Sequence, residues 1–382
     1  MIKNIRVNLE NYNYSIYVGQ CILNDLGKII LKNKLSNSCV IITNPTINNL
    51  FGKKLKNNLE KSNINTIVIE IPDSETSKSL KVTEKVYVKL IEKKIDRNSF
   101  VIALGGGVVG DLAGYIAATY LRGISLIQVP TTLLAQVDSA IGGKVGVDLP
   151  QGKNLVGAFY QPKFVLSDIT TLNSLSTNEL KSGLAEVIKY GIISDPDLFN
   201  YINKNIEKIK NKDVKVLENI VINCSKIKAK VVEKDEKEKG HRAILNLGHT
   251  LGHALESETK YLKYNHGQAI SIGMIYAAKI STKIGYLEKK EFEKIFSLIK
   301  LAELPIKINE NVEVDRLIET MLIDKKVKDK KIRMVLPKKI GEVFLTDKIP
   351  MNLLKNELRK MISWTLSLQV QWVQEKQQLG KN

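Results

Sequence analysis

The sequence predicts a two-part chain: an α/β N-terminal part built on a parallel sheet, up to about residue 172, and a helical part over 173–360. Over the first ~170 residues, short β-branched runs alternate with helical patterns, the layout of a parallel sheet with helices between its strands. Beyond about 175 the strand signal fades and apolar residues recur at helical spacing. A length of 382 residues is also long for one hydrophobic core, so two domains are expected.

The strands expected in the first part are "CVIIT" (39–43), "TIVIEI" (66–71), "SFVIAL" (99–104) and "ISLIQV" (124–129). Stretches 79–94 and 111–121 read as helices, and together these elements make a doubly wound sheet. "LKSGLAEVIKYGI" (180–192) reads as a helix with Leu184, Val187 and Ile188 apolar. In 213–232, Val214, Leu217, Ile220, Val221, Cys224, Ile227 and Val231 form one apolar helical face with lysines opposite. Residues 322–341 read as a basic loop and a short strand. The tail, 361–382, holds both tryptophans, Trp364 and Trp372, and five glutamines against six in all that precedes it. That change of character sets it apart from the fold, and no function is read from it.

Composition narrows the class. The 43% hydrophobic content is that of a soluble globular protein, and no apolar run is long enough to span a membrane. The first residues lack a signal-peptide pattern, so a cytoplasmic location is expected. Cys21, Cys39 and Cys224 are far apart and lack CxxC spacing, which argues against a disulfide framework or a thiolate metal site. The net charge of +18 comes from scattered lysines without interleaved aromatics, so it points to a solvated surface and not to nucleic acid.

"SFVIALGGGVVGDLAGYIAATYL" joins a buried strand to a helix through glycines. Gly105, Gly107 and Gly110 fit G-x-G-x-x-G, whose glycines let backbone N–H groups approach a pyrophosphate at a helix N-terminus. The loop follows a later strand, however, and no acidic residue lies about 20 positions beyond it, so a nucleotide here is held in a variant way. Two further segments combine polarity with glycine or loop character: "PTTLLAQVDSAIGGKVGVDLPQGKNLVGAF" (130–159) and "PDSETSKSLK" (72–81). Lys144 and Lys153 sit beside glycines, where a loop can approach an anion, while Asp138 and Asn154 offer groups for hydroxyls.

All four histidines fall between His241 and His266. His249 and His253 share a helix face at i,i+4, a spacing that suits zinc, with His266 as a third ligand. Thr250 follows His249, so the H-E-x-x-H metalloprotease pattern is absent. Glu186 and Lys189 lie one turn apart, readable as a surface ion pair or, for Glu186, as a buried metal ligand.

Taken together, "PDSETSKSL", "GGGVVGDLAGYIAATYLRG", "VPTTLLAQVDSAIGGKVGVD", "GKNLVGAFYQP", "LKSGLAEVIKYG", "KAKVVEKDEKEKGHRAILNLGHTLGHALE", "NHGQAISIGM" and "DKK" resemble, in order, the motifs of 3-dehydroquinate synthases. The resemblance implies an N-terminal Rossmann-like NAD-binding domain (1–172), an all-α metal- and substrate-binding domain (173–360) and an active site between them. It implies zinc, replaceable by Co2+, on Glu186, His249 and His266, and it moves His253 to the substrate side. NAD contacts carry over to Asn44, Asp73, Glu75, Lys78, the loop Gly107, Val108, Val109, Gly110 and Asp111, then Thr131, Thr132, Lys144, Lys153 and the turn Thr171, Leu172, Asn173 and Ser174. Asp138, Lys144, Asn154, Lys189, Lys228, Arg242, Asn246 and His253 carry over to the substrate, and Arg122 to the site of a partner subunit in a homodimer.

The substrate so implied is 3-deoxy-D-arabino-heptulosonate 7-phosphate, an acidic sugar phosphate that accounts for the lysines and arginines without nucleic acid. The implied reaction has no net redox change. Hydride leaves C5 to NAD, phosphate leaves by β-elimination, hydride returns, the ring opens, and an intramolecular aldol closes the carbocycle of 3-dehydroquinate. Zinc polarises the C4 and C5 oxygens, the cations hold phosphate, and His253 relays a proton. Three features depart from the family pattern: His241 stands where an aliphatic residue is usual, "SETSK" replaces an aromatic-containing run, and the tail matches nothing. Two alternatives remain: a sister sugar-phosphate cyclase such as 2-deoxy-scyllo-inosose synthase, and a metal-dependent polyol dehydrogenase.

Overall fold

A computed structural model describes residues 2–310, 312–323 and 331–362. The tail beyond 362 and most of the basic loop, 324–330, lie outside the described residues. The chain divides into two compact units, 1–183 with 207–242, and 184–206 with 243–382.

The first unit is built on strands β1 (Lys3–Asn8), β2 (Asn13–Gly19), β3 (Ser38–Thr43), β4 (Asn65–Glu70), β5 (Phe100–Gly105), β6 (Ser125–Pro130), β7 (Lys144–Leu149), β8 (Gly152–Phe159) and β9 (Phe164–Asp168). Seven of them form one sheet in the order β1-β2-β9-β6-β5-β3-β4. Only β1, paired with β2, runs antiparallel.

The period-2 alternation of the strands feeds both faces of this sheet. Cys39, Ile41, Phe100, Ile102, Leu104, Ile127 and Phe164 enter one core, with Leu26, Ile30, Leu55 and Leu59. Val40, Ile42, Val101, Ala103 and Leu126 enter the other, with Val86, Leu90, Leu112 and Ile116. Helices therefore cover both faces, and strands buried on both sides read as continuous apolar runs. That is why β3 to β6 are visible in the sequence within a residue or so.

Three sheet strands are not predicted. β1 and β2 are short and polar on alternate residues around an asparagine-rich turn, and β9 has only five residues, ending Ser-Asp. β7 and β8 form a separate hairpin whose glycines thin out the hydrophobic signal. The predicted helices at 79–94 and 111–121 are observed at Leu80–Glu92 and Gly107–Thr119, the second starting four residues early because the glycine loop is itself its N-terminus. The predicted helix at 213–232 spans Val214–Lys234, with Asp213 accepting the Val216 N–H at its cap, and it belongs to the first unit.

The second unit is mainly helical. It includes helices Pro196–Lys204, His249–Glu258, His266–Lys283, Lys289–Leu301 and Val314–Ile323. The all-α expectation needs one correction: β10 (Met334–Lys339) and β11 (Glu342–Thr346) form an antiparallel hairpin. Among the described residues no helix is long and apolar enough to cross a membrane.

Two local devices fix the ends of the helices that carry the histidines. Asn265 accepts the Gln268 N–H at 2.9 Å while Gln268 Oε1 accepts the Asn265 N–H at 3.0 Å, a capping box that starts the second helix at His266. Gly248, at φ +82°, turns the chain into the first helix, and a Cβ on Gly273 would overlap the Gly248 carbonyl. Only glycine at 273 lets the two backbones approach so closely. Gly273→Ala should therefore lose about 1–3 kcal/mol of stability, read as a lower denaturation midpoint in urea. An unchanged midpoint would show that the crossing is looser than described.

Candidate active site

The helix Thr177–Ser194, which enters the second unit at Leu184, carries Glu186 among buried Leu184, Val187 and Ile188. Glu186 itself is 0% exposed and Lys189 is 1% exposed, and the two form an ion pair. A buried carboxylate must be paired or serve as a ligand, so the surface reading of this pair is set aside.

Glu186 Oε1 lies 3.4 Å from His249 Nε2 and 3.3 Å from His266 Nε2. A tetrahedral ion with bonds of about 2.0–2.1 Å holds neighbouring ligand atoms about 3.3–3.4 Å apart, and the two carboxylate–imidazole spacings match that value. The ligand-type atoms of Glu186, His249 and His266 all lie within 4.8 Å of one another. A second group, His253, Glu256 and His266, meets the same limit. His253 stands beside His249, ring centroids 5.2 Å apart.

Burial holds the His249 imidazole well below its ordinary pKa, against the pull of Glu186, and so keeps it neutral and able to bind a metal. Burial also disfavours charge on His266, but hydrogen bonds to Glu186 and Glu256 outweigh it and raise its pKa to about 10. Glu256 is a buried group that the sequence reading missed; a glutamate three residues after a histidine carries no motif.

In the first unit the sequence-predicted cations and hydroxyl binders meet around a cavity of about 490 Å³, whose lining includes Asp111, Asp138, Lys144, Asn154, Lys228 and Arg242. Lys228 Nζ is 2.8 Å from Asp138 Oδ1 and donates to its carbonyl at 2.6 Å. Arg242 is buried, donating to the Glu236 carbonyl at 2.7 Å and the Gly142 carbonyl at 3.2 Å. Lys144 pairs with Glu238, a second acidic residue the sequence reading passed over.

Beside this cavity lies the glycine loop. β5 ends at Gly105 and the helix begins at Gly107, with Gly106 at its cap. A Cβ on Gly106 would sit 3.1 Å from Thr132 Cγ2, and buried Thr131 Oγ1 has no hydrogen-bond partner. A bare glycine cradle next to an orphaned hydroxyl fits a nucleotide phosphate. Lys78 Nζ donates to Asp111 Oδ2 at 2.5 Å and also contacts Asn154. Burial pushes the Asp111 carboxyl up, and Lys78 opposes that shift. Glu75 pairs with Lys153 at 2.9 Å, and Asn44 donates to Asp73 at 2.7 Å.

Other predicted residues are placed more singly. Thr171 donates to the Asp168 carbonyl at 2.8 Å, Leu172 is in the core, and Asn173 and Ser174 are exposed. Arg122 is held at φ 68° in the turn after the glycine-loop helix. Asn246 ends a short 3₁₀ helix that starts at His241, which is exposed.

The loop leading to Arg242 is folded around one carboxylate. Asp235 accepts N–H groups from Lys239 at 2.8 Å, Gly240 at 2.8 Å and Arg242 at 3.0 Å. Although partial burial opposes it, these bonds and the Arg242 charge hold the Asp235 carboxyl below its usual range. Its stabilisation is fully present above the unfolded value of about 3.9 and is lost as pH falls through the lower folded value. Asp235→Asn should therefore melt at lower temperature than the parent at pH 7, with the gap narrowing below about pH 4. A gap independent of pH would show that the charge is irrelevant.

The chain is similar to known proteins along nearly its whole length. Family models described as 3-dehydroquinate synthase N-terminal and 3-dehydroquinate synthase C-terminal match residues 68–182 and 183–327. The 3-dehydroquinate synthase of Thermodesulfovibrio yellowstonii is 44% identical over 362 residues, covering 95% of this chain and 100% of the relative. That of Desulforamulus reducens is 45% identical over 339 residues, covering 89% and 94%. A solved 2-deoxy-scyllo-inosose synthase, complexed with carbaglucose-6-phosphate, NAD+ and Co2+, superposes with a TM-score of 0.86 at 26% identity, covering 94% of this chain and 100% of that one. On the matched family models and on relatives 44–45% identical over nearly their whole length, the chain belongs to the 3-dehydroquinate synthase family.

Proposed function

We propose that this protein converts 3-deoxy-D-arabino-heptulosonate 7-phosphate to 3-dehydroquinate and inorganic phosphate, the second step of the shikimate pathway, with NAD and a divalent metal. The observation that carries the reading is the Glu186, His249 and His266 cluster, in which the carboxylate oxygen lies 3.4 and 3.3 Å from the two imidazoles, the edge length of a zinc-centred tetrahedron. It lies within a chain 44% identical to a dehydroquinate synthase along nearly its whole length. The sister-cyclase alternative is disfavoured by the lower identity, 26%, to 2-deoxy-scyllo-inosose synthase despite the shared fold.

In this reading residues 1–172 form a Rossmann-like domain that binds NAD at the glycine loop. The N–H groups of Gly107 to Asp111 and the hydroxyls of Thr131 and Thr132 would hold its phosphates, and Asn44, Asp73, Glu75, Lys78, Lys153 and the turn Thr171 to Ser174 would hold the rest. Residues 173–360 form the metal-binding part, with zinc or Co2+ on Glu186, His249 and His266. When bound, NAD takes up and returns a hydride, and the metal polarises substrate hydroxyl oxygens.

The protein's own groups do the remaining work. Lys144, Lys228 and Arg242 hold the anionic groups of the substrate, and Asp138 and Asn154 orient its hydroxyls. Lys189, buried beside Glu186, offsets carboxylate charge and faces the substrate with Asn246. His253 is half-buried next to the cluster, suited to moving a proton without binding the ion. A dimer in which Arg122 reaches the partner's site is supported by the resemblance alone.

Purified protein given NAD, zinc and the heptulosonate phosphate should release phosphate with no lasting NADH absorbance, and should leave glucose 6-phosphate intact. Steady accumulation of NADH would indicate a polyol dehydrogenase instead. Preferred turnover of glucose 6-phosphate would indicate a sister cyclase. Glu186→Ala should lose both turnover and bound zinc after dialysis. His253→Ala should keep stoichiometric zinc while turnover falls by about 10²–10⁴-fold. Full zinc in the Glu186→Ala protein would overturn the ligand assignment.

A further inference from the structure

We infer that Glu256 is a positioning residue for His266, holding the imidazole so that its Nε2 faces Glu186 and the metal. The inference rests on the reading of Glu186, His249 and His266 as metal ligands and concerns a residue outside that set. Glu256 lies on the helix His249–Glu258, seven residues after His249 and three after His253, which puts it on the face that carries both histidines. It is 6% exposed. A carboxylate so far from water must be compensated.

The compensation is directional. Glu256 Oε2 lies 3.3 Å from His266 Nδ1, while His266 Nε2 lies 3.3 Å from Glu186 Oε1. The two nitrogens point to different sides of the ring, so a carboxylate at Nδ1 leaves Nε2 as the donor to an ion beside Glu186. In the neutral imidazole only one nitrogen carries a proton, and an acceptor at Nδ1 keeps it there. A metal-binding histidine whose second nitrogen is tied to a carboxylate is better oriented and more basic, and losing that partner commonly costs 10–100-fold in metal affinity.

His266 needs such an anchor. The capping box fixes its backbone at the first turn of its helix through bonds between Asn265 and Gln268, whereas the ring is held by the two carboxylates. Glu256 reaches the ring from a different helix, so it also couples the orientation of His266 to that of the helix bearing His249. A competing geometry exists, because His253, Glu256 and His266 form a second group with ligand-type atoms within 4.8 Å. In that arrangement Glu256 would be a ligand and His266 would bind through Nδ1.

Two measurements on the full-length protein decide the matter. Zinc affinity is measured by chelator competition for the parent, Glu256→Ala and Glu256→Gln, together with melting of the metal-free forms. Glu256→Ala should bind one zinc with about 10–100-fold weaker affinity, and Glu256→Gln, which keeps an acceptor at Nδ1, should recover much of the loss. Parent-like affinity in Glu256→Ala overturns the inference. Loss of stoichiometric zinc from folded Glu256→Ala, as expected for Glu186→Ala, shows a ligand instead and overturns it equally. A parent protein that binds no zinc would refute the metal-site reading itself, a separate outcome. Should Glu256→Ala not fold, the long-range 1H–15N correlation spectrum of the zinc-loaded parent gives the answer alone: His266 with Nδ1 protonated and Nε2 on the metal is expected, and Nδ1 on the metal contradicts it.

Discussion

The second unit depends on one buried carboxylate. Glu186, fully inaccessible among apolar neighbours, is a costly group to place in a helix interior. Lys189, His249 and His266 surround it from the same helix and from two others. Replacing it with an apolar residue would suit the packing of that helix better, so its presence is hard to explain by stability alone. A divalent ion gives the carboxylate a reason to be there, and the spacing of the two imidazoles around Oε1 is what such an ion requires.

Backbone geometry delivers these side chains. Gly248 and Gly273 let the helices His249–Glu258 and His266–Lys283 approach at carbonyl contact, and the Asn265–Gln268 capping box sets where the second begins. In the first unit, the glycine loop after β5 leaves a helix N-terminus bare of side chains, while Asp235 gathers three N–H groups to hold the segment that ends in Arg242. The cations there are tied to backbone carbonyls and carboxylates, which fixes their positions around the cavity.

Much of the fold is legible in the sequence because double-sided burial writes itself as unbroken apolar runs, as in "CVIIT" and "SFVIAL". The edge pair β1 and β2 and the glycine-containing hairpin β7 and β8 escape, since short, half-polar strands carry little signal. At the site, histidine spacing identifies the neighbourhood but not the partners. His249 and His253 are helical neighbours, whereas the carboxylate that groups with His249 lies 63 positions upstream. The apolar helix around Glu186 marks it as a candidate ligand and the motif resemblance groups it with His249 and His266, but neither spacing nor resemblance supplies Glu256, whose contact with His266 requires two helices to meet.

The central claim is that Glu186, His249 and His266 hold the metal while His253 does not. X-ray absorption at the zinc edge of the loaded protein tests it most directly, because back-scattering from imidazole rings counts the histidines bound. The account predicts two imidazole nitrogens and a carboxylate oxygen from the protein. Three imidazoles, or none with carboxylates only, would contradict it.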